Sequence, residues 1–342
     1  NALTANTTAS FNHAIGVAAL GSITTGSQNV AIGYNAGGAL TTGISNVAIG
    51  HGALDSTSTS NNTAVGWQSC GTNTTGNNLT AVGQNSLFAN TTGTNNVAVG
   101  GQALDANTSA SNNTAVGYAS LTTNTTGAEN TALGRSSLHL NTTGHSSVAV
   151  GYSSLLVNTT GASNTSVGAY SLDANTTGSS NTGLGYGTLS ANTTANSNTA
   201  VGTSAMVANT TGTHNVAVGN NALDANTTGN FNTSLGSNSL TSNNGSYNVA
   251  LGYETLETNS SGNYNTALGM RALEDNTTAN DNVAVGFAAL QKNTTGTQNV
   301  AVGTLALDAN TTASYNTGAG YSALSANTTG TENTAFGRIA LQ

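Results

Sequence analysis

An all-β fold, a β-solenoid or parallel β-roll of about twenty coils of 17 residues, is predicted by three features of this 342-residue sequence. A glycine closes a short motif at fixed spacing, the residues before it alternate with period two, and the remainder of each repeat is rich in turn-forming Asn, Thr and Gly. Sustained self-similarity at a fixed period is the signature of a repeat architecture. A 17-residue unit is shorter than a helix pair or a propeller blade, which need ~34 residues or more, and suits one coil of a solenoid.

Twenty glycines mark the repeats, from Gly16, Gly33 and Gly50 to Gly320 and Gly337. The intervals are 17 residues long, except for those ending at Gly66 and Gly252, which are 16. The residue before the glycine is large and apolar, as in Ile15, Val65, Leu133 and Phe336, with Ala319 the exception. Two residues earlier stands Val or Thr, with His13 the exception, and between them lies Ala, Ser or Gly. Period-two alternation with β-branched residues is a short strand. The larger residues are expected to point into a core. The small face, with Ala48, Ala115, Ala217 and Ala301, is expected to meet a second chain.

Four residues after the glycine comes Leu, replaced only by Gly37, Cys70 and Met206. A second extended stretch is expected there. Cys70 takes a core position, so the reading is burial as a small hydrophobe. Four residues before the glycine comes Asn, replaced only by Leu79 and Ser147. Stacked in register, these amides predict a hydrogen-bonded ladder that satisfies a turn. At ~4.8 Å per coil the array predicts a rod ~95 Å long.

An Asn-X-Ser/Thr sequon recurs at the next corner, at Asn6, Asn73, Asn90, Asn107, Asn124, Asn141, Asn158, Asn175, Asn192, Asn209, Asn226, Asn259, Asn276, Asn293, Asn310 and Asn327, with Asn244 in a shortened repeat. Turn chemistry accounts for Asn and Thr at a corner. Persistence of the full acceptor sequence makes N-glycosylation the competing expectation. Three early repeats depart from the pattern with Ile23, Leu40 and Thr57, which suggests that this end contacts something different.

Directly after the glycine, eight repeats carry an aromatic residue, among them Tyr118, Tyr152 and Tyr186. Such a stripe stacks on sugar or anchors a lateral interface, or else covers the shoulder of a thin core.

Segments such as Asn46-Val47-Ala48-Ile49-Gly50 and Asn215-Val216-Ala217-Val218-Gly219 resemble the head repeats of trimeric autotransporter adhesins, repeats also found in some phage tail-fibre proteins. The resemblance implies a left-handed parallel β-roll, side-by-side packing of three chains, and attachment to host matrix or other surfaces. The family's repeats are usually shorter and lack the Asn-Thr-Thr corner, and its coiled-coil stalk and membrane anchor barrel have no counterpart here.

Charged residues are 5% of the chain, against ~25% in a typical globular protein. Only Arg135, Arg271, Lys292 and Arg338 are fixed cations, so nucleic acid is excluded as a partner and no anionic membrane is addressed. No apolar stretch approaches the ~20 residues that cross a bilayer. The sequence has no initiator Met and no signal-peptide pattern, and residues 1–342 read as one continuous array cut from a longer chain.

Catalysis needs unlike groups converging on one point, whereas a solenoid stacks like over like. His13, His51, His139, His145 and His214 occupy five different repeat positions, which makes no metal-ligand column. Asp55, Asp105, Asp173, Asp224 and Asp308 share one position but are mostly several coils apart, so they read as surface carboxylates without calcium. No enzyme activity, cofactor or metal is expected. The expected function is a structural or adhesive fibre, extracellular or at the cell surface, self-associated as a homotrimer or fibre and possessing surface glycans or a host-matrix ligand as partners. Ice binding through rows of Thr and a phage tail-fibre segment are the alternatives.

Overall fold

The computed structural model describes all residues 1–342 and forms two compact units, Asn1–Tyr170 with Ala174–Thr177, and Ser171–Asp173 with Gly178–Gln342. Both are all-β, without a helix. The first holds strands β1 (His13–Ile15) to β10 (Thr165–Val167), one per coil. The second holds β11 (Thr182–Leu184) to β20 (Thr334–Phe336). Within each unit successive strands pair parallel and in perfect register. Between β6 (Val97–Val99) and β7 (Thr114–Val116), for instance, Val97 faces Thr114, Ala98 faces Ala115 and Val99 faces Val116. The predicted solenoid with a 17-residue turn is therefore the observed architecture.

The two faces of the strand are reversed relative to the sequence expectation. Ala98, Ala115 and Ala132 are fully buried, whereas the Val, Thr, Ile and Leu residues on either side are half-buried or exposed. Ala48, Ala115, Ala217 and Ala301, expected at a chain–chain contact, lie inside their own coils at 0–1% exposure. The reason is the width of the coil. A Cβ added to Gly318, which holds this inward position in β19 (Thr317–Ala319), would sit 3.3 Å from Leu307 Cγ. One Leu, the strand Ala, a second small residue such as Ala103 or Ser120 and the ladder asparagines fill the interior of a coil, which leaves the larger strand residues outside.

That Leu does not lie on a second strand. The stretch after each glycine is a tight turn with two left-handed residues, for example Gln102 (φ 60) and Leu104 (φ 52), and a third precedes the strand, at Asn112 (φ 62). Left-handed backbone crowds a branched Cβ most. The core position accordingly holds Leu, Met206, Cys70 or Gly37, and never Val, Ile or Thr. The repeat glycine itself lies at φ values such as 133 (Gly33) and 137 (Gly117), a region essentially closed to other residues. An added Cβ on Gly33 would also lie 2.7 Å from the Gly50 carbonyl oxygen of the next coil.

Backbone hydrogen bonds link coils well beyond the strands. Leu87 N donates to Ala103 O (3.0 Å), Thr91 N to Thr108 O (2.8 Å) and Asn95 N to Asn77 O (3.1 Å). Each coil is thus tied around its circumference to the coils before and after it.

Candidate functional site

Two internal amide ladders come first, because they decide which side chains remain available. The predicted ladder is present: Asn130 donates its backbone N–H to Asn113 Oδ1 (2.9 Å) and its Nδ2 to Gly144 O (2.9 Å), and Ser147 continues the series by donating its N–H to Asn130 Oδ1 (3.0 Å). A second ladder was read in the sequence as a row of sequons. Asn90 Nδ2 donates to Asn73 Oδ1 (2.9 Å) and Gly93 O (3.1 Å), and Asn107 Nδ2 in turn to Asn90 Oδ1 (2.8 Å).

The sequon asparagines at 73, 90, 107, 124, 141, 158 and 175 in the first unit, and 192, 209, 226, 259, 276, 293 and 310 in the second, are all fully buried. Asn327 is half-buried and bonded in the same way, to Asn310 Oδ1 and Gly330 O. An Nδ2 with both hydrogens engaged inside a coil is no acceptor for a sugar, so the folded chain does not support glycosylation along this row. Asn6 and Asn244 are the exposed exceptions. In the shortened repeat Asn243 takes the ladder place, which pushes Asn244 outward. The signal available in the sequence was the near-invariance of Asn itself, which suits a buried stack as well as an acceptor.

The Thr after a ladder Asn generally has its hydroxyl committed as well, as when Thr125 Oγ1 donates to Thr142 O (3.1 Å). The next Thr in line is exposed, as at Thr75, Thr92, Thr126, Thr143 and Thr160.

Outside, the strand face is free of Lys, Arg, Asp and Glu; the position before the glycine forms an apolar column, and the position two residues earlier mixes Val with Thr. Exposed members include Val82, Leu133 and Val148 in the first unit and Leu184, Leu235, Leu251 and Val302 in the second. Tyr118, Tyr152 and Tyr186 flank it, 43–57% exposed. Arg135 lies over the Tyr152 ring, 5.7 Å from its centroid, and Tyr170 meets the same ring edge-on at 5.3 Å.

A second aromatic row lay unrecognised in the sequence, at the left-handed residue before the strand. In the second unit His214, Phe231, Tyr247 and Tyr264 stack face to face at 4.9, 5.1 and 5.0 Å, within 17° of parallel. Within this row of four the middle rings have both faces covered by their neighbours, so it offers a sugar little face except at its ends.

Cys70 is fully buried, and burial pushes its thiol up to about 12. The aspartates after the core Leu are half-buried, and burial raises the pKa of Asp55, Asp105, Asp224 and Asp308. Glu254, Glu257 and Glu274 converge within 4.8 Å, with Arg271 Nε 2.9 Å from Glu254 and 3.9 Å from Glu274. The guanidinium supplies the countercharge there. The histidines do not converge: His51 stacks on Tyr34 at 5.1 Å, while His139 Nδ1 lies 3.1 Å from Ala119 O.

In comparisons of the sequence with known proteins, no family model and no curated protein matches the chain.

Proposed function

We propose that this chain is the repeat segment of a structural or adhesive fibre outside the cell, non-catalytic and without a cofactor, in which copies of the chain pack side by side through the outward strand face. The observation that carries this reading is the face itself. Coil after coil leaves Val, Ile or Leu half-exposed without a single charged residue among them, although charged side chains are what keep sheet surfaces soluble and single. The inward Ala column is consumed by the coil's own core, so the interface moves to the larger residues beside it. Three copies, the number implied by the resemblance to adhesin heads, would bring these faces together around an axis. The tail-fibre alternative shares this assembly and differs only in the particle that carries it.

Sedimentation of the purified chain tests the proposal. A trimer or higher oligomer is expected, and Leu133→Asp with Val116→Asp should give monomers that keep the β-sheet circular dichroism. A parent chain that stays monomeric at ~100 μM would remove the reading, since an apolar interface of ordinary size associates far below that concentration. Intact mass of native material is expected to exceed the polypeptide mass by glycans on no more than the five exposed sequons, at Asn6, Asn61, Asn78, Asn112 and Asn244.

Ice binding is the second reading, supported by the exposed Thr row at Thr75, Thr92, Thr126, Thr143 and Thr160. Its inner neighbour row has its hydroxyls tied to the backbone, which leaves one regular row where two were expected. Thermal hysteresis in the purified protein would favour it, and freezing indistinguishable from a buffer control would dismiss it.

A further inference from the structure

Departures from the repeat concentrate in the first unit between Ile23 and Phe88, and there they open a cavity of about 340 Å³ on the outside of the coils. Two missing side chains make it. Two residues after the repeat glycine, neighbouring coils carry Asn35 and Gln68, but the coil between them has Gly52. Five residues after the glycine, Asp55 and Phe88 are likewise separated by Gly71. In a structure that stacks like over like, a glycine in a column of longer residues is a notch one coil wide.

The walls of the notch differ in chemistry. The stacked pair Tyr34 and His51, both exposed, lines one side, and the half-buried Phe88 ring lies over Gly71 on the other, its Cε2 3.1 Å from where a Cβ would stand. Between them are polar groups. Asn35 Nδ2 donates to Asp55 Oδ1 (2.5 Å), which fixes the carboxylate and leaves Oδ2 as an acceptor. The side-chain amide of Gln68 makes no hydrogen bond within the chain, and so has a donor and an acceptor free. No Lys or Arg lines the cavity.

We propose that this notch binds a neutral pyranose sugar, presented as the end of a surface glycan. A pyranose pairs an apolar C–H face with hydroxyls that both donate and accept, and the notch pairs ring surface with a fixed carboxylate and a free amide. An anionic ligand would meet Asp55 with no cation to offset it. A purely apolar ligand would strip water from the amides without replacing it. The assignment deepens the adhesive reading above and rests on it for its biological sense.

The test uses the full chain, titrated with glucose, galactose, mannose and N-acetylglucosamine. Trp67, the only tryptophan and the neighbour of Gln68, reports by fluorescence, and calorimetry reports the heat. At least one sugar is expected to give a saturable signal. Gly52→Asn fills the notch with the residue that Asn35 and Asn85 already carry in the same left-handed conformation (φ 55 and 54, against 64 at Gly52), and its Cβ would make an ordinary 3.5 Å contact with Gln68 Cγ. It should fold and weaken binding at least about tenfold, a loss of ~1.4 kcal/mol. Asp55→Asn, which keeps the shape, should weaken it as well. No signal with any sugar, equal binding by Gly52→Asn, or saturation by choline in place of sugar would each overturn the proposal. Sedimentation of the same samples separates the two ideas: an assembled chain that binds no sugar sinks the notch alone, whereas a monomeric parent sinks the fibre.

Discussion

At the scale of the residue, backbone handedness selects side chains as strongly as burial does. Leu104, at φ 52, is fully buried, and a β-branched residue there would bring a branch into a conformation that already costs ~1–2 kcal/mol per non-glycine residue. Leu104→Met is therefore expected to cost under about 1.5 kcal/mol, as a volume-conserving exchange that Met206 already makes in another coil. Leu104→Ile is expected to cost about 2–3 kcal/mol more than that, by adding strain to poor packing. Urea unfolding measures both, and equal costs would mean that handedness plays no part in the choice. The absence of Val and Ile from this column was legible in the sequence. What it meant was not, because the same absence is what helical propensity or plain size preference would leave.

At the scale of the element, each coil pairs a three-residue strand with a turn, and the turn carries the titratable burden. Asp55, Asp105, Asp224 and Asp308 have pKa values raised by burial, and Asp105 and Asp308 each keep a buried oxygen without a hydrogen-bond partner. A carboxyl whose folded pKa lies above its unfolded value contributes stability below the unfolded value, about 3.9 for Asp, and loses it as pH rises through the folded one. The melting temperature is thus expected to rise on acidification from neutral pH to about pH 4. Replacing all four by Asn should flatten that rise. A melting temperature that falls over the same window in the parent would show that other carboxylates, such as the half-buried Glu254 with its lowered pKa, dominate instead.

At the scale of the whole molecule, the repeat makes stability a matter of neighbours. Strand contacts run only between consecutive strands, and the amide ladders pass from one coil to the next. Stability in such a structure is approximately a sum of coil and interface terms. Deleting residues 101–117, one 17-residue coil within the first unit, would bring the flanking coils into register with every ladder position conserved. The shortened chain is expected to fold, with a melting temperature within a few degrees of the parent. Deleting residues 101–108 removes part of a coil, breaks the register, and should lose the cooperative transition. Equal tolerance of both deletions would argue against in-register stacking.

The period, the strand, the Asn-Thr-Thr corner and the Asn ladder before the strand were determined by sequence alone, since each is a local pattern repeated until chance is excluded, whereas the stretch around Leu104 read as extended and is a left-handed turn. Three matters were decided only by tertiary structure. The face of the strand that points inward depends on coil width, which turns on how Leu104 and its counterparts meet Ala115 and its counterparts across the interior; alternation along the strand is the same in either direction. The fate of Asn90, Asn107 and Asn124 depends on whether their amides face in or out, and a sequon reads identically in both cases. The notch between Tyr34 and Phe88 exists because Gly52 and Gly71, unremarkable singly, come to lie beside longer residues from other coils once the chain is wound at 17 residues per turn.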